Sequence, residues 1–222
     1  METFRLKNHL TPQKAESLKG KFLDESYFDT LITNDCDGYD MHGNMLFRYR
    51  KNAIPFELLK SGYEAFKDSI TLTDGRGIAS GSSHKRIRKD GSVSNITIGN
   101  KVYSGNVGYM DAGAMVHYCR KTAFARDYFD KFKQGIPFVE FIDSKYKELC
   151  PEHYRKQIAI ATGTNRNYRI GETSFTTVTV NRNFQTAVHK DAGDFPEGFG
   201  NLIVYREGDY KRSEEHTSEL QS

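Results

Sequence analysis

Two residues near the C-terminal end of the chain have the types and spacing to hold a metal: His189 and Asp191, in "AVHKDAG". In an extended segment, residues two apart project to the same side. An imidazole nitrogen and a carboxylate oxygen from this pair can therefore reach one cation. With a second histidine they would form a 2-His-1-carboxylate facial triad. That arrangement fills one face of an iron(II) octahedron and leaves three positions for a 2-oxo acid and dioxygen. A His-x-Asp triplet alone is a weak signal, and an arbitrary one is usually a surface histidine beside a carboxylate. Three features of the surroundings favour the metal. A strongly strand-like run precedes the pair, Ala-Gly follows it, and a second strand-like run, "NLIVY", arrives after a short loop.

The elements that must position this pair can be read from periodicity. "TSFTTVTVNRNF" is β-branched and alternating, so it predicts a strand leading into the motif, and "GFGNLIVY" predicts another. Residues 120–160 read as helical. "KTAFARDYFDKFKQG" spaces Phe124, Tyr128 and Phe132 along one helix face, with Gly135 and Pro137 ending the helix. "VEFIDSKYKEL" places Val139, Ile142, Tyr146 and Leu149 on one stripe, and "PEHYRKQIAIA" starts with Pro151 in a first turn. Further upstream, Thr11-Pro12 reads as an N-cap and first helical residue with Gly20 as a stop, and a second helix starts at Pro55. Residues 75–108 are rich in Gly and Ser. They contain the basic loop "SGSSHKRIRKDGS" and then "SVSNITIGNKVYSGNVGY", which alternates as a strand pair would. No internal repeat is visible. The class expected is α+β, with helices first and the opening strands of a sheet after them.

Bulk properties fit one folded domain. The 222 residues can bury a sizeable core, and 37% hydrophobic with 13% aromatic residues excludes a disordered composition. The formal charge is +3; setting aside the last eleven residues, with one basic and three acidic side chains, raises it to +5. A mildly basic chain is compatible with a polyanionic partner. Three widely spaced cysteines, Cys36, Cys119 and Cys150, form neither a CxxC site nor a disulfide framework, which favours a reducing compartment. No apolar run has membrane-spanning length, and "METFRLKNHLTPQ" lacks a signal-peptide core. The expected location is cytoplasmic or nuclear.

Other motifs were weighed against plainer readings. Arg120 in "YCRKTAF" is a candidate for a 2-oxo acid carboxylate or for DNA, with a structural salt bridge as the alternative. Lys85, Arg86 and Arg88 in "HKRIRKD" are candidates for DNA phosphates, against a solvated turn. "NDCDGYD" lacks the terminal Glu of a calcium loop, and "GRGIASG" has the wrong spacing for a dinucleotide fingerprint. His117 and His153 lie in or beside helical stretches ahead of the sheet and are poor candidates for the missing ligand. No Ser-His-Asp constellation is evident.

The block "FTTVTVNRNFQTAVHKDAGDFPEGFGNLIVYREG" resembles the core of the TET/JBP oxygenases. "GRGIASG", "SGNVGYMDAG" and "HYCRKTAFAR" are similar to segments of the bacteriophage and microbial branch of that family, so the resemblance spans about residues 70 to 210. It implies a double-stranded β-helix, or jelly roll, with helices packed outside. It implies an iron(II)- and 2-oxoglutarate-dependent dioxygenase, using O2, that hydroxylates the C5-methyl of thymine or 5-methylcytosine in DNA. His189 and Asp191 would be the iron ligands, and Asp194 matches a position that faces the target base, which would be flipped out of the duplex. A phage-encoded enzyme acting in host cytoplasm fits the same resemblance. Two other readings stay open at this point. One is a 2-oxoglutarate oxygenase acting on a protein or small molecule; the other is a non-catalytic DNA-binding jelly-roll module.

The final segment, "RSEEHTSELQS" (212–222), resembles the translation of a sequencing-library adapter in one reading frame. It is expected to be foreign, like a fusion scar, so that His216 is not the second iron histidine. The expected organisation is a partial oxygenase domain over 1–211. Within it, 1–165 is helical and mixed, 166–211 opens the β-helix core, and a foreign tail follows at 212–222. The family's second histidine and its 2-oxoglutarate-clamping arginine would fall beyond residue 211, leaving the chain as written inactive.

Overall fold

The computed structural model describes residues 1–81, 84–112, 116–191 and 194–206. It is a mixed α+β structure. At the N-terminus β1 (Glu2–Leu6) runs parallel to β2 (Cys36–Asp40), which turns back antiparallel into β3 (Met45–Tyr49). Asp40 closes that turn by accepting the N–H groups of His42 and Asn44, each at 2.8 Å. Between β1 and β2 lies α1 (Pro12–Leu18), started as expected by Pro12 and by the Thr11 hydroxyl, which accepts Lys14 N–H at 3.2 Å.

The central sheet is built around the longest strand. β4 (Thr71–Thr73) pairs with the start of β7 (Val102–Met110), and β8 (Arg120–Lys121) with its end. β9 (Thr177–Arg182) runs antiparallel along Tyr103–Gly108. Ser104 pairs with both Thr71 and Asn181, so β4 and β9 flank β7 on opposite sides. The alternating run from residue 92 does yield two strands, β6 (Val93–Ile98) and β7, but they do not pair with each other. β6 instead pairs with β5 (His84–Ile87), so the expected basic loop is a two-stranded hairpin.

Helices α2 (Phe56–Phe66), α3 (Ala123–Asp127) and α4 (Phe129–Leu149) pack with this sheet around the core, and α5 (Pro151–Gly163) packs on α4. The core lies between α2, α4 and β7 and is made by Phe66, Val107, Phe124, Phe132, Val139, Ile142 and Ile170. Here the sequence expectation fails at one point. Gly135 and Pro137 do not end a helix; both sit inside α4. A helix-interior proline leaves one carbonyl unbonded and costs about 3 kcal/mol. Packing offsets this. A Cβ at Gly135 would overlap the Phe66 ring of α2, and one at Gly62 of α2 would overlap the Phe138 ring of α4. The two helices therefore cross with an aromatic ring of each seated on a glycine of the other.

Asp143 ties the helices to the sheet. It is 7% exposed and accepts Ser174 N–H and Ser174 Oγ–H at 2.7 Å each and Tyr154 Oη–H at 2.9 Å. Past the motif, the expected strand at "GFGNLIVY" is not formed: residues 199–206 have no ladder partner among the described residues. Its alternation is nonetheless used. Ile203 packs against the core and Tyr205 lies 4.8 Å from the Tyr63 ring, while Leu202 and Val204 face solvent.

Candidate metal centre

β9 ends at Arg182, and the chain then runs irregularly to a short stretch held from two sides. Val188 N–H donates to the Lys21 carbonyl at 3.0 Å, and the Val188 carbonyl accepts Gly20 N–H at 2.8 Å. Ala187 N–H donates to the Ala79 carbonyl at 2.8 Å. Both Ala187 and Val188 are fully buried. The end of α1 and the turn at 77–80 thus clamp the backbone immediately before His189. The strand expected to lead into the motif ends at Arg182, and no long ladder is needed to orient the pair.

The two side chains come together as the spacing required. His189 Nε2 stands 3.4 Å from Asp191 Oδ1. His189 Nδ1 lies 2.8 Å from the Ala187 carbonyl, which can only accept, so Nδ1 carries the proton there. With Nδ1 protonated, Nε2 faces the carboxylate: in the charged ring it donates its proton to Asp191, and in the neutral ring it offers a lone pair to a cation lying between them. Two electron-pair donors converging in this way suit a cation, and the carbonyl that fixes the tautomer is the usual outer support of a metal-bound imidazole. The bond to His189 first, and the positive charges of His189 and Arg76 after it, hold the Asp191 carboxyl below the usual range against the effect of burial. The residues present fit two positions of a facial triad. No third His, Cys, Asp or Glu joins them among the described residues.

Arg76 is the residue sequence reading missed. It lies just after β4, where its charge reaches Asp191, and its hydrogen-bond partners are neutral. Nε donates to Ser104 Oγ at 2.6 Å and Nη2 to Asn106 Oδ1 at 3.2 Å. Ser104 in turn donates to Asn181 Oδ1 at 2.6 Å, and Thr179 Oγ1 to Asn106 Oδ1 at 3.2 Å. β7 and β9 therefore hold a guanidinium beside the centre without neutralising it. Burial favours its uncharged form and lowers its pKa, but an arginine stays ionised at any working pH. The only sequence signal was an arginine between two glycines in "GRGIASG".

The other candidates fall differently. Asp194 lies near enough to Asp191 to feel its charge: burial first and that negative charge second raise its carboxyl above the usual range. Arg120 sits in β8 opposite Met110, with Nη1 sealed from solvent and unbonded; it hydrogen-bonds none of the groups above. Lys85, Arg86 and Arg88 are exposed on the β5–β6 hairpin. His153 packs on the Phe199 ring at 4.4 Å, away from any metal role. His216 and the rest of 212–222 lie outside the described residues.

Residues 107–218, which include the centre, match the model of the oxygenase domain of the 2OGFeDO superfamily, Tet_JBP. The chain belongs to the Tet/JBP oxygenase family. The match runs through Ser218 and so takes in part of the segment set apart in the sequence as foreign. Among curated Tet/JBP relatives, the chain is 30% identical over 200 residues to the bifunctional helicase and thymine dioxygenase JBP2 of Leishmania braziliensis, covering 87% of this chain and 16% of that protein. It is 41% identical over 104 residues to the JBP2 of Leishmania major, covering 46% and 9%. It is 32% identical over 180 residues to the thymine dioxygenase JBP1 of Trypanosoma brucei brucei, covering 80% and 20%. The chain thus spans a fifth or less of each of these relatives. No solved structure matches it. No described helix is long and apolar enough to cross a membrane.

Proposed function

We propose that this chain is the iron-binding part of a 2-oxoglutarate-dependent dioxygenase that hydroxylates the C5-methyl of thymine or 5-methylcytosine in DNA. The observation that carries the reading is the convergence of His189 Nε2 and Asp191 Oδ1, tautomer fixed, beside an un-neutralised Arg76 in a Tet/JBP domain. Its relatives named thymine dioxygenases support the substrate class. β9 and the segment through His189 would open a double-stranded β-helix core over residues 166–211, with β7 joining it from earlier in the chain and α2 to α5 packed outside.

Iron(II), with 2-oxoglutarate and O2, supplies the oxidising power to place oxygen on an unactivated methyl group. The chain's own residues do the rest. His189 and Asp191 would hold the iron, and the Ala187 carbonyl fixes the orientation of the His189 imidazole. Arg76, held by Ser104 and Asn106, offers a charged donor for a carboxylate of 2-oxoglutarate and is a stronger candidate for that role than Arg120. Asp194, whose carboxyl feels the charge of Asp191, would be the group that meets a flipped base.

Among the described residues two candidate protein ligands are one short of a facial triad, so turnover is assayed both with this chain and with a longer version of the protein. Duplex DNA is incubated with iron(II), ascorbate and 2-oxoglutarate, and its nucleosides are read by mass spectrometry. Hydroxymethylated pyrimidine with matching succinate is the expected result. Succinate released on peptides but not on DNA would sink the DNA reading while keeping the oxygenase.

A further inference from the structure

The β5–β6 hairpin pairs with no other strand among the described residues, and β6 leans on the Gly77–Ser80 turn that follows Arg76. It therefore projects from the rim of the candidate centre. Its tip is firmly built. Arg88 N–H donates to the Ser92 carbonyl at 2.8 Å, Gly91 N–H to the Arg88 carbonyl at 2.9 Å, and Asp90 accepts both Ser92 N–H and Oγ–H.

Just below this tip Ile87 and Val93 stand directly opposite one another across the ladder, 72% and 63% exposed. Opposed side chains in an antiparallel pair share one face and touch, so these two form a single apolar knob in water. Next to it in the chain are the exposed cations Arg86, Arg88 and Lys89. Asp90, the acid at the hairpin tip, has its carboxylate engaged by Ser92. Neither Arg86 nor Lys89 has an acidic partner among the described residues. A small phosphate ligand would use the cations but leave the knob wet. A nucleic-acid groove answers both, with phosphates along its walls and sugars, base edges and pyrimidine methyls inside. A two-stranded ribbon fits a major groove about 12 Å wide.

We propose that the β5–β6 hairpin is a DNA-docking ribbon, seating the Ile87–Val93 pair in a groove next to the target base while Arg86, Arg88 and Lys89 bridge phosphates. The choice of DNA rests on the oxygenase reading above, but the test does not use turnover. Fluorescence anisotropy of a labelled duplex is measured with the 222-residue chain over a range of salt, without iron or 2-oxoglutarate. R86Q/K89Q should flatten the dependence of log K on log salt by about 2, because each lost phosphate contact removes about 0.9. I87S/V93S should weaken binding about tenfold with the slope unchanged, since no charge is altered. All four positions are solvent-facing, and circular dichroism melts verify the fold. Wild-type affinity in the I87S/V93S protein overturns the proposal. So does tighter binding of polyglutamate than of DNA, which would assign the ribbon to an acidic protein. DNA binding that depends on the ribbon, with no base oxidised by the extended protein, leaves this inference standing and defeats only the oxygenase reading.

Discussion

His189 presents Nε2 to Asp191 Oδ1 at 3.4 Å while its other ring nitrogen is engaged by the Ala187 carbonyl at 2.8 Å. A site of this form is predicted to bind a divalent cation even with one ligand wanting. Isothermal titration with cobalt(II) as probe should give measurable affinity for the chain. Removing an outer support of a metal ligand typically costs 10–100-fold, so removing the ligand itself in His189→Ala or Asp191→Ala should cost more than about 100-fold. His216→Ala should change nothing if the tail is foreign. Near-wild-type affinity in His189→Ala would end the metal reading.

Arg76→Lys should reduce 2-oxoglutarate binding about tenfold. The charge survives, but the planar fork that meets a carboxylate and Ser104 together does not. The readout is the rise in Tm that 2-oxoglutarate produces in the metal-loaded chain. An equal rise in wild type and Arg76→Lys rejects this role for Arg76.

The α2–α4 crossing gives opposite results at two helical glycines. Gly135→Ala brings a methyl onto the Phe66 ring and should destabilise by about 1–3 kcal/mol, despite alanine's better helix propensity. Gly163, at the end of α5, has nothing within reach of an added Cβ. Gly163→Ala should be neutral or stabilise by up to about 1 kcal/mol. Urea unfolding of the two variants checks the pair, and equal midpoints would contradict the packing described.

Tyr154 predicts an alkaline limb in stability. Burial first, and the bond to Asp143 second, push its phenol up to about 12. The unfolded phenol ionises near about 10, so the folded pKa is the higher one. The contribution is therefore complete below about pH 10 and is lost as the pH rises through about 12. Tyr154→Phe should lose about 1 kcal/mol at neutral pH, from one hydrogen bond, and lack that part of the alkaline decline. Urea midpoints against pH for the two proteins decide it; parallel curves would remove Tyr154 from the account.

Local rules were the readable part of this chain. Thr11 and Pro12 began α1, Pro151 began α5, and the β-branched run gave β9, because capping and alternation act within a few residues. Gly135 and Pro137 misled because their locally helix-breaking types are outweighed by Phe66, which arrives from a distant helix. "NLIVY" misled because alternation specifies two faces but not a neighbour to bond with. In the candidate centre, the two-residue spacing indicated that His189 and Asp191 would lie side by side, as they do. Arg76 was invisible because its role comes from β7 and β9 converging on it, and nothing in its own neighbourhood records that.

The clamp on Ala187 and Val188 also fixes when the centre can form. Its two jaws are Gly20–Lys21 at the beginning of the chain and Ala79 before β5, while the clamped residues come near the end. Closing such distant loops carries an entropy cost that must be met before any contact rewards it. The ligand pair is consequently a late product of folding, set only after the first and last parts of the chain have met. Deleting the segment through Lys21 should therefore weaken cation binding at the candidate centre, although neither candidate ligand lies in that segment.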